Sequence, residues 1–199
     1  MFQIFTGTTS RGNVVIMTAA SRAQARKALT AEILKCRRCP GMNEPGVSQA
    51  APGYGSLFSP VVLVGASLCT ECMTTGIPFT GGSGLLIDEA LRESGLDKAD
   101  IFITNVVHCY PAQPDNRKSR PHEKERCRPF LHREIELVRP RLVIGLGGDA
   151  RETLRFLYPD ASELPWGRID QSTSGQVQGR GVRGRLVILR DDGSSGQCR

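Results

Sequence analysis

The sequence lacks both a long apolar run and an export signal. No stretch approaches the ~18 consecutive apolar residues that a membrane-spanning helix requires, which excludes a protein that crosses a bilayer on helices. The N-terminus has no charged head followed by an apolar core, the pattern of a secretory signal. These absences predict a cytoplasmic protein, associated with the nucleoid if the source is bacterial. Internal repeats are also missing.

The composition predicts one domain with many loops. The 199 residues suffice for one sizeable domain but not comfortably for two. The 22 glycines and 12 prolines exceed the usual share and favour loops between regular elements. With 26 basic and 20 acidic residues the net charge is +6, which favours a polyanionic partner only modestly. We predict a poorly ordered extension over residues 1–20, a domain over 21–190 and a polar tail over 191–199.

Four short apolar runs predict the strands of a doubly wound α/β fold. They are rich in valine and isoleucine without strict alternation, which is typical of strands buried on both faces of a parallel sheet. Helical patterns separate them, and Ser21 would cap the first helix. Ligands in such sheets bind at the carboxyl ends of the strands. The predicted strands are Val61–Val64, Ile101–Val107, Leu142–Leu146 and Leu186–Leu189, and the predicted helices cover residues 21–35, 83–94, 121–138 and 149–158.

Seven cysteines in a chain without an export signal indicate metal ligation or redox chemistry rather than structural disulfides. Cys36 and Cys39 form a CxxC pair at the end of a predicted helix. Cys109 and Cys127 flank a segment rich in proline and charge, which cannot pack by itself. A metal centre on all four cysteines would order that segment, and four thiolates suit either a [4Fe–4S] cluster or a tetrahedral zinc ion.

A second CxxC pair, Cys69 and Cys72, leaves other interpretations open. It could join Cys36 and Cys39 on zinc, although the gap is longer than the usual zinc-ribbon spacing. It could instead be the exchangeable dithiol of a redox protein. Cys127 could also be a small apolar residue in the stripe of its helix, since free cysteine is often buried.

Several motifs fall in one order along about residues 30–155. They are the CxxC pair Cys36–Cys39, Val62–Gly65, Gly76–Gly81, Ile103–Cys109, Asn116-Arg117, Cys127 and Pro140–Gly147. This series resembles the iron–sulfur uracil-DNA glycosylases of families 4 and 5. The resemblance implies a three-layer α/β/α fold with a four-stranded parallel sheet, and a [4Fe–4S] cluster on the four cysteines, with zinc as the alternative. It also implies DNA as the partner, and we expect a monomer.

The resemblance further implies a pocket for a base that has swung out of the DNA helix. Phe79 would stack on the base. Asn105, at the carboxyl end of a strand, would read its edge, because an amide both donates and accepts hydrogen bonds. Gly65 and Ala66 would offer backbone groups. Without the resemblance, Phe79 could be core filler and Asn105 a turn residue that caps its strand.

The chain departs from the family's pattern at two places that concern the chemistry. Breaking the glycosidic bond builds positive charge on the sugar and negative charge on the base, so the site requires a carboxylate or oriented water and a hydrogen-bond donor. The family's first motif has an acid where this chain has Ala66. The family's second motif contains a histidine and should follow the last strand, but no histidine follows His132. Glu71 could replace the acid and position water, or it could be a solvated loop residue. The alternative function is therefore a weak or inactive iron–sulfur DNA-binding protein of the same fold.

Basic side chains ahead of the predicted helix over 121–138 indicate contacts with DNA phosphates. Such contacts give an affinity that depends on salt and not on sequence. Glutamates nearby weaken the positive field, so a solvated helix face explains the same residues equally well. The candidates are Arg117, Lys118 and Arg120.

Overall fold

The computed structural model describes residues 7–8, 14–15, 17–111, 117–159, 161–163 and 186–190. The predicted tail over 191–199, Asn116 and most of the predicted extension over 1–20 lie outside these residues. Within that extension, β1 (Gly7–Thr8) pairs with β2 (Val14–Val15) in antiparallel orientation. The other elements are α1 (Ala19–Lys35), β3 (Tyr54–Gly55), β4 (Val61–Ser67), α2 (Thr70–Thr75), α3 (Ser83–Glu93), β5 (Phe102–Val107), α4 (Pro121–Val138), β6 (Leu142–Leu146), α5 (Gly148–Leu157), β7 (Ser162–Glu163) and β8 (Leu186–Arg190).

Parallel strands form the centre of a sheet with the order β3-β5-β4-β6-β8-β7. β4 lies between β5 and β6 and runs parallel to both. Every residue of β5 is buried, and Val62 and Val64 of β4 have no exposed surface. Because both faces of these strands are covered, their sequences are apolar runs without alternation. The predicted parallel strands are confirmed at these three positions. Burial on both faces holds for β5 and the middle of β4, whereas in β6 only Val143 and Gly145 are buried.

The α/β fold class is confirmed. The expected sheet of four parallel strands is wrong, because the described residues form a six-stranded sheet of mixed direction. β8 runs antiparallel to β6, with Leu142 opposite Arg190 and Leu146 opposite Leu186. β7 is antiparallel to β8 and therefore has the same direction as β6. After β6 and α5, the chain enters the sheet again at β7. β8 then runs in the opposite direction between β6 and β7. An apolar run is the same in either direction, so the sequence carries no signal for this reversal.

Helices cover both faces of the sheet and give the three layers that the resemblance implied. On one face, α1, α4 and α5 pack their apolar residues against Val62 and Val64. On the other face, Ile87 and Leu91 of α3 pack against Leu63. Successive residues of β4 therefore point into opposite layers. Within the described part of the chain, no helix has the length and apolar character needed to cross a membrane.

Local chemistry explains where the helices begin and end. α4 has the predicted bounds, with Pro121 in its first turn, where the missing N–H leaves no hydrogen bond unmade. α1 begins at Ala19 because Thr18, and not Ser21 as predicted, caps it. The Thr18 hydroxyl accepts a hydrogen bond from the Ser21 N–H at 3.1 Å. α2 was not predicted from the sequence, since six residues are too few to show a helical period.

Candidate active site and cysteine centre

The carboxyl ends of β4 and β5 bring three of the predicted site residues together. Gly65 of β4 lies opposite Asn105 of β5 in the parallel register. The Asn105 amide oxygen and the Phe79 ring approach Gly65 so closely that a β-carbon there would overlap both. Glycine is therefore required at this position. Its missing side chain makes room for an amide and an aromatic ring side by side.

Asn105 belongs to the strand and not to a turn. It lies two residues before the end of β5, and only 3% of its surface is exposed. An amide at such a place can donate and accept hydrogen bonds in surroundings from which water is largely excluded. Ala66 follows Gly65 in β4 and is half-buried. The backbone of both residues thus lies beside the Asn105 amide, as the resemblance implied.

The segment that carries Phe79 is held in an unusual backbone conformation. Phe79 has a φ of +59°, in the left-handed region that residues other than glycine rarely adopt. Its carbonyl oxygen accepts a hydrogen bond from Lys98 Nζ at 2.6 Å, and Lys98 also pairs with Asp88 at 2.7 Å. The ring is half-buried at the edge of the apolar cluster that α3 covers. Phe79 is therefore not an interior core residue.

Glu71 lies on α2, which follows β4 in the chain and precedes the segment that carries Phe79. The side chain is exposed, and a β-carbon at Gly81 would lie only 2.7 Å from Glu71 Oε2. The carboxylate thus packs on Gly81 instead of extending freely into solvent. At the end of the same helix, the hydroxyls of Thr75 and Thr80 lie 2.7 Å apart. α2 and the Phe79 segment therefore hold each other in place.

The four cysteines predicted as ligands line one cavity. Cys36 ends α1, Cys39 follows in the next loop, Cys109 comes just after β5, and Cys127 lies in α4. Cys39, Cys109 and Cys127 are buried, and Cys36 is partly exposed. Apolar side chains and two arginines complete the lining, namely Met42, Val107, Arg38 and Arg126.

Electrostatics in this cavity fit a positively charged inorganic centre. Burial raises the pKa of the Cys109 thiol, and the neighbouring sulfurs of Cys127, Cys36 and Cys39 raise it further. Burial and Cys127 also raise the pKa of Cys39, against a hydrogen bond from Arg126. Four thiolates crowded together repel one another unless cations lie between them. The donor set and its surroundings thus suit thiolate ligation.

Among the described residues, no three histidine, cysteine or acidic side chains come close enough to bind a single ion. The four sulfurs nevertheless line the same cavity, and four thiolates suit either a [4Fe–4S] cluster or a zinc ion.

Cys69 and Cys72 are separate from this centre. Their sulfurs are joined in a disulfide, and their Cα atoms lie 5.0 Å apart. They pack with Leu68 and Tyr110 in an apolar cluster distinct from the one that contains the other four cysteines. The interpretation that they share a zinc ion with Cys36 and Cys39 does not fit this structure.

The three predicted basic residues have different surroundings. Arg117 forms two hydrogen bonds with Glu123, from Nη1 to Oε2 at 2.9 Å and from Nη2 to Oε1 at 2.6 Å. Its side chain is 13% exposed and that of Glu123 is 1% exposed. Lys118 and Arg120 are exposed, and the Arg120 N–H donates to Glu123 at 2.7 Å. Arg117 therefore neutralises a buried carboxylate, while Lys118 and Arg120 are accessible to phosphates.

Comparison with known proteins connects these features. A profile of the Uracil DNA glycosylase superfamily matches residues 52–189. This stretch is more than half of the chain and contains Gly65, Phe79 and Asn105. The chain belongs to the uracil DNA glycosylase superfamily. The matched region lies inside the domain predicted over 21–190.

Individual members of the superfamily support the same assignment. The chain is 37% identical over 131 residues to the type-4 uracil-DNA glycosylase of Thermotoga maritima, which covers 65% of this chain and 66% of that protein. It is 34% identical over 157 residues to the type-4 enzyme of Pyrobaculum aerophilum, with 78% and 74% covered. A type-5 uracil-DNA glycosylase from the same organism is 31% identical over 134 residues, with 59% and 58% covered. The chain thus spans just under two thirds of the T. maritima relative, and the predicted resemblance to families 4 and 5 is confirmed.

At the first motif, the resemblance predicts an acid where this chain has Ala66, which lies directly after Gly65 in β4. The carboxylate of Glu71, on the helix that follows, is the acid that the structure brings to the Phe79 segment. The segment after Arg190, where the second motif is expected, lies outside the described residues.

A buried polar network next to the site was missed by sequence analysis. His108 Nε2 lies 3.0 Å from Glu134 Oε2, and Glu134 also accepts hydrogen bonds from the Thr104 hydroxyl and the Gly53 N–H. Burial lowers the pKa of His108, but the Glu134 carboxylate and the Cys127 sulfur raise it overall. Glu134 lies on the buried face of α4, where periodicity predicts apolar residues. An acid within the apolar stripe of a helix requires a buried partner, and this is the only signal in the sequence that could have pointed to the pairing of Glu134 with His108.

Arg117→Ala should lower the free energy of unfolding by about 1–3 kcal/mol at neutral pH, because the buried Glu123 loses two charged hydrogen bonds. Burial raises the pKa of Glu123, but hydrogen bonds from Arg117 and from the backbone of Arg120 lower it overall. The stabilisation is therefore complete above the unfolded pKa of about 4.3 and is lost as the pH falls through the folded value. Urea denaturation of the parent and the variant at pH values about one unit apart, from about pH 3 to 7, measures this difference in the free energy of unfolding.

The control for this experiment is Lys118→Ala, which removes the exposed neighbouring cation. It should leave stability within about 0.5 kcal/mol of the parent at every pH. Equal losses for the two variants would show that Arg117 does not stabilise the fold through Glu123.

Proposed function

We propose that this protein hydrolyses the N-glycosidic bond of uracil, or of another deaminated base, in DNA during base excision repair. The observation that carries the proposal is the convergence of Gly65, Phe79 and Asn105 at the carboxyl ends of adjacent parallel strands. A ring for stacking next to a buried amide is what recognition of an extruded pyrimidine requires. The names of the relatives, type-4 and type-5 uracil-DNA glycosylase, support the same substrate.

The reaction breaks the bond between the base nitrogen and the sugar C1′. Water supplies hydroxide to C1′, and its proton neutralises the departing base. Asn105 binds the base and stabilises the negative charge that develops on it, since its N–H groups can donate to the base oxygen. The backbone of Gly65 and Ala66 contributes further polar groups, and Phe79 stacks on the ring. Glu71 positions the water and offsets the positive charge on the sugar.

Cys36, Cys39, Cys109 and Cys127 would hold a [4Fe–4S] cluster, for which the buried four-cysteine cavity is suited. Zinc is the alternative, since four thiolates also suit a tetrahedral zinc ion. When bound, the group would supply structural cross-linking rather than electron transfer. Its four cysteines lie at the end of α1, in the loop that follows, just after β5 and in α4, so ligation would hold the strand that carries Asn105.

DNA is the partner, bound by a monomer in the cytoplasm. Lys118 and Arg120 are exposed at the N-terminal end of α4 and would contact phosphates. Arg117 stabilises this end of the helix through its ion pair with the buried Glu123. Phosphate contacts of this kind supply affinity, whereas Asn105 supplies selectivity for the base.

A second candidate is a DNA-binding protein that has kept the pocket and lost the chemistry. The observation that favours it is Ala66, since a methyl group stands where the family's pattern has its acid. Measuring both binding and release on the same substrate distinguishes the two functions.

Asn105→Ala should lower the rate of uracil release from single-stranded DNA by about 10²–10³-fold, because the variant loses the donor to the developing negative charge.

Glu71→Gln should lower the rate of uracil release by at least about 10-fold, because the variant loses the carboxylate that positions water. The matched control is Glu89→Gln, which alters an exposed glutamate on α3 and should release uracil at the parent rate. A parent protein that binds uracil-containing DNA but never releases the base would support the second candidate instead.

Cys127→Ser should remove the broad visible absorption of anaerobically purified protein and most of its iron and acid-labile sulfide, because one thiolate of the set is lost. Cys198→Ser, which changes a cysteine outside the proposed set, should leave both unchanged. A colourless parent protein that contains stoichiometric zinc would contradict the cluster assignment.

A further inference from the structure

We propose that Cys69 and Cys72 are a reversible thiol–disulfide site whose oxidised form holds α2, and with it Glu71, against the base pocket. The two sulfurs are bonded to each other, with Cα atoms 5.0 Å apart, inside the usual range for a disulfide. Neither residue belongs to the four-cysteine cavity. The effect on base release rests on the proposed function, whereas the redox site itself does not.

The pair has the asymmetry of an exchangeable disulfide. Cys69 is partly exposed, whereas Cys72 is 2% exposed and packs with Leu68. Cys69 precedes α2 and caps it, since its sulfur accepts a hydrogen bond from the Cys72 N–H at 3.3 Å. A small thiol can therefore reach Cys69 and not Cys72, which directs exchange to one sulfur.

The exchange is a two-electron step that needs a small-molecule disulfide as oxidant. The Cys69 thiolate attacks that disulfide and releases one thiol, and the Cys72 sulfur then attacks the mixed disulfide at Cys69 and releases the second thiol. One S–S bond breaks and one forms, and the two protons of the protein thiols end on the released thiols. A small-molecule thiol such as glutathione reverses the step. Disulfides in a reducing compartment are usually of this transient kind.

The disulfide lies where it can control the position of α2. This helix has only six residues, too short to be stable without external support. Besides the disulfide, the Thr70 hydroxyl donates to the Tyr110 hydroxyl at 3.2 Å, and Cys72 packs with Tyr110 and Ala51. The Gln49 N–H also donates to Met73 Sδ at 3.4 Å, and a covalent link across the first turn adds to these contacts. Reduction should therefore loosen the helix.

Contacts on the opposite side of α2 lead to the pocket. The Glu71 carboxylate packs on Gly81, and the Thr75 and Thr80 hydroxyls are 2.7 Å apart. Thr80 in turn donates to the Ile77 carbonyl at 2.7 Å. These residues flank Phe79, the ring that approaches Gly65. Movement of α2 would thus displace both the carboxylate and the stacking ring.

The test uses the full chain with Cys198→Ser, so that the tail cysteine cannot exchange. The protein is equilibrated anaerobically in glutathione buffers from fully oxidised to fully reduced, and alkylation with mass spectrometry quantifies the Cys69 and Cys72 thiols. Amide hydrogen exchange over residues 70–81 should be at least about 5-fold faster in the reduced form. Uracil release should be about 5-fold slower in that form, because displaced catalytic groups lose rate steeply. The matched control carries Cys69→Ser and Cys72→Ser and should not respond to the buffer in either assay.

The outcomes separate this inference from the proposed function. A pair that stays in one state across all buffers, or hydrogen exchange and release that are equal in both states, overturns the inference. If no uracil is released in any state, the proposed function fails, and thiol content and hydrogen exchange alone decide the redox site. Visible absorption monitors the cysteine centre in both proteins, so loss of a cluster would appear equally in the control.

Discussion

The side-by-side register of β4 and β5 is the constraint on which the site depends. It sets Gly65 opposite Asn105, and the absence of a side chain at Gly65 leaves the space that the Asn105 amide and the Phe79 ring share. Parallel pairing also brings the carboxyl ends of the strands to one edge, where irregular segments can add functional groups without disturbing the core. The Phe79 segment uses that freedom, with its left-handed residue held by Lys98.

The same strand connects the proposed pocket to the cysteine centre. Asn105 and Cys109 lie four residues apart, at the end of β5 and just beyond it. Between them His108 forms a buried pair with Glu134 of α4, and the His108 carbonyl accepts from the Ala51 N–H at 2.8 Å. A buried charge-assisted pair and a backbone hydrogen bond thus fix this strand end. A cross-link at Cys109 and Cys127 would add to that rigidity, which fits a structural group rather than a reactive one.

An element of the fold could be predicted from the sequence only where it is long enough for its apolar pattern to show a period. The bounds of α4 and β6 agree with prediction because an apolar stripe and a buried run are long enough to show their period. The direction of β8 could not be predicted, since strand direction depends on the connection and not on the run. α2 is too short to show a period. In the site, motif order selected Gly65, Phe79 and Asn105, which the structure brings together, and four cysteines, which line a separate cavity. The burial of Glu123 and Glu134 became evident only from their partners Arg117 and His108.

The most direct test of the account is the rate of uracil release by Gly65→Ala compared with Gly148→Ala. The added methyl group at position 65 would overlap the Asn105 amide and the Phe79 ring, whereas at position 148 it meets no atom within 4 Å. Both variants should keep the same visible absorption and the same cooperative unfolding. We predict that Gly65→Ala loses at least about 10²-fold in rate because its pocket is filled, while Gly148→Ala keeps the parent rate. A Gly65→Ala protein that releases uracil as fast as the parent would show that the base is not bound between these residues.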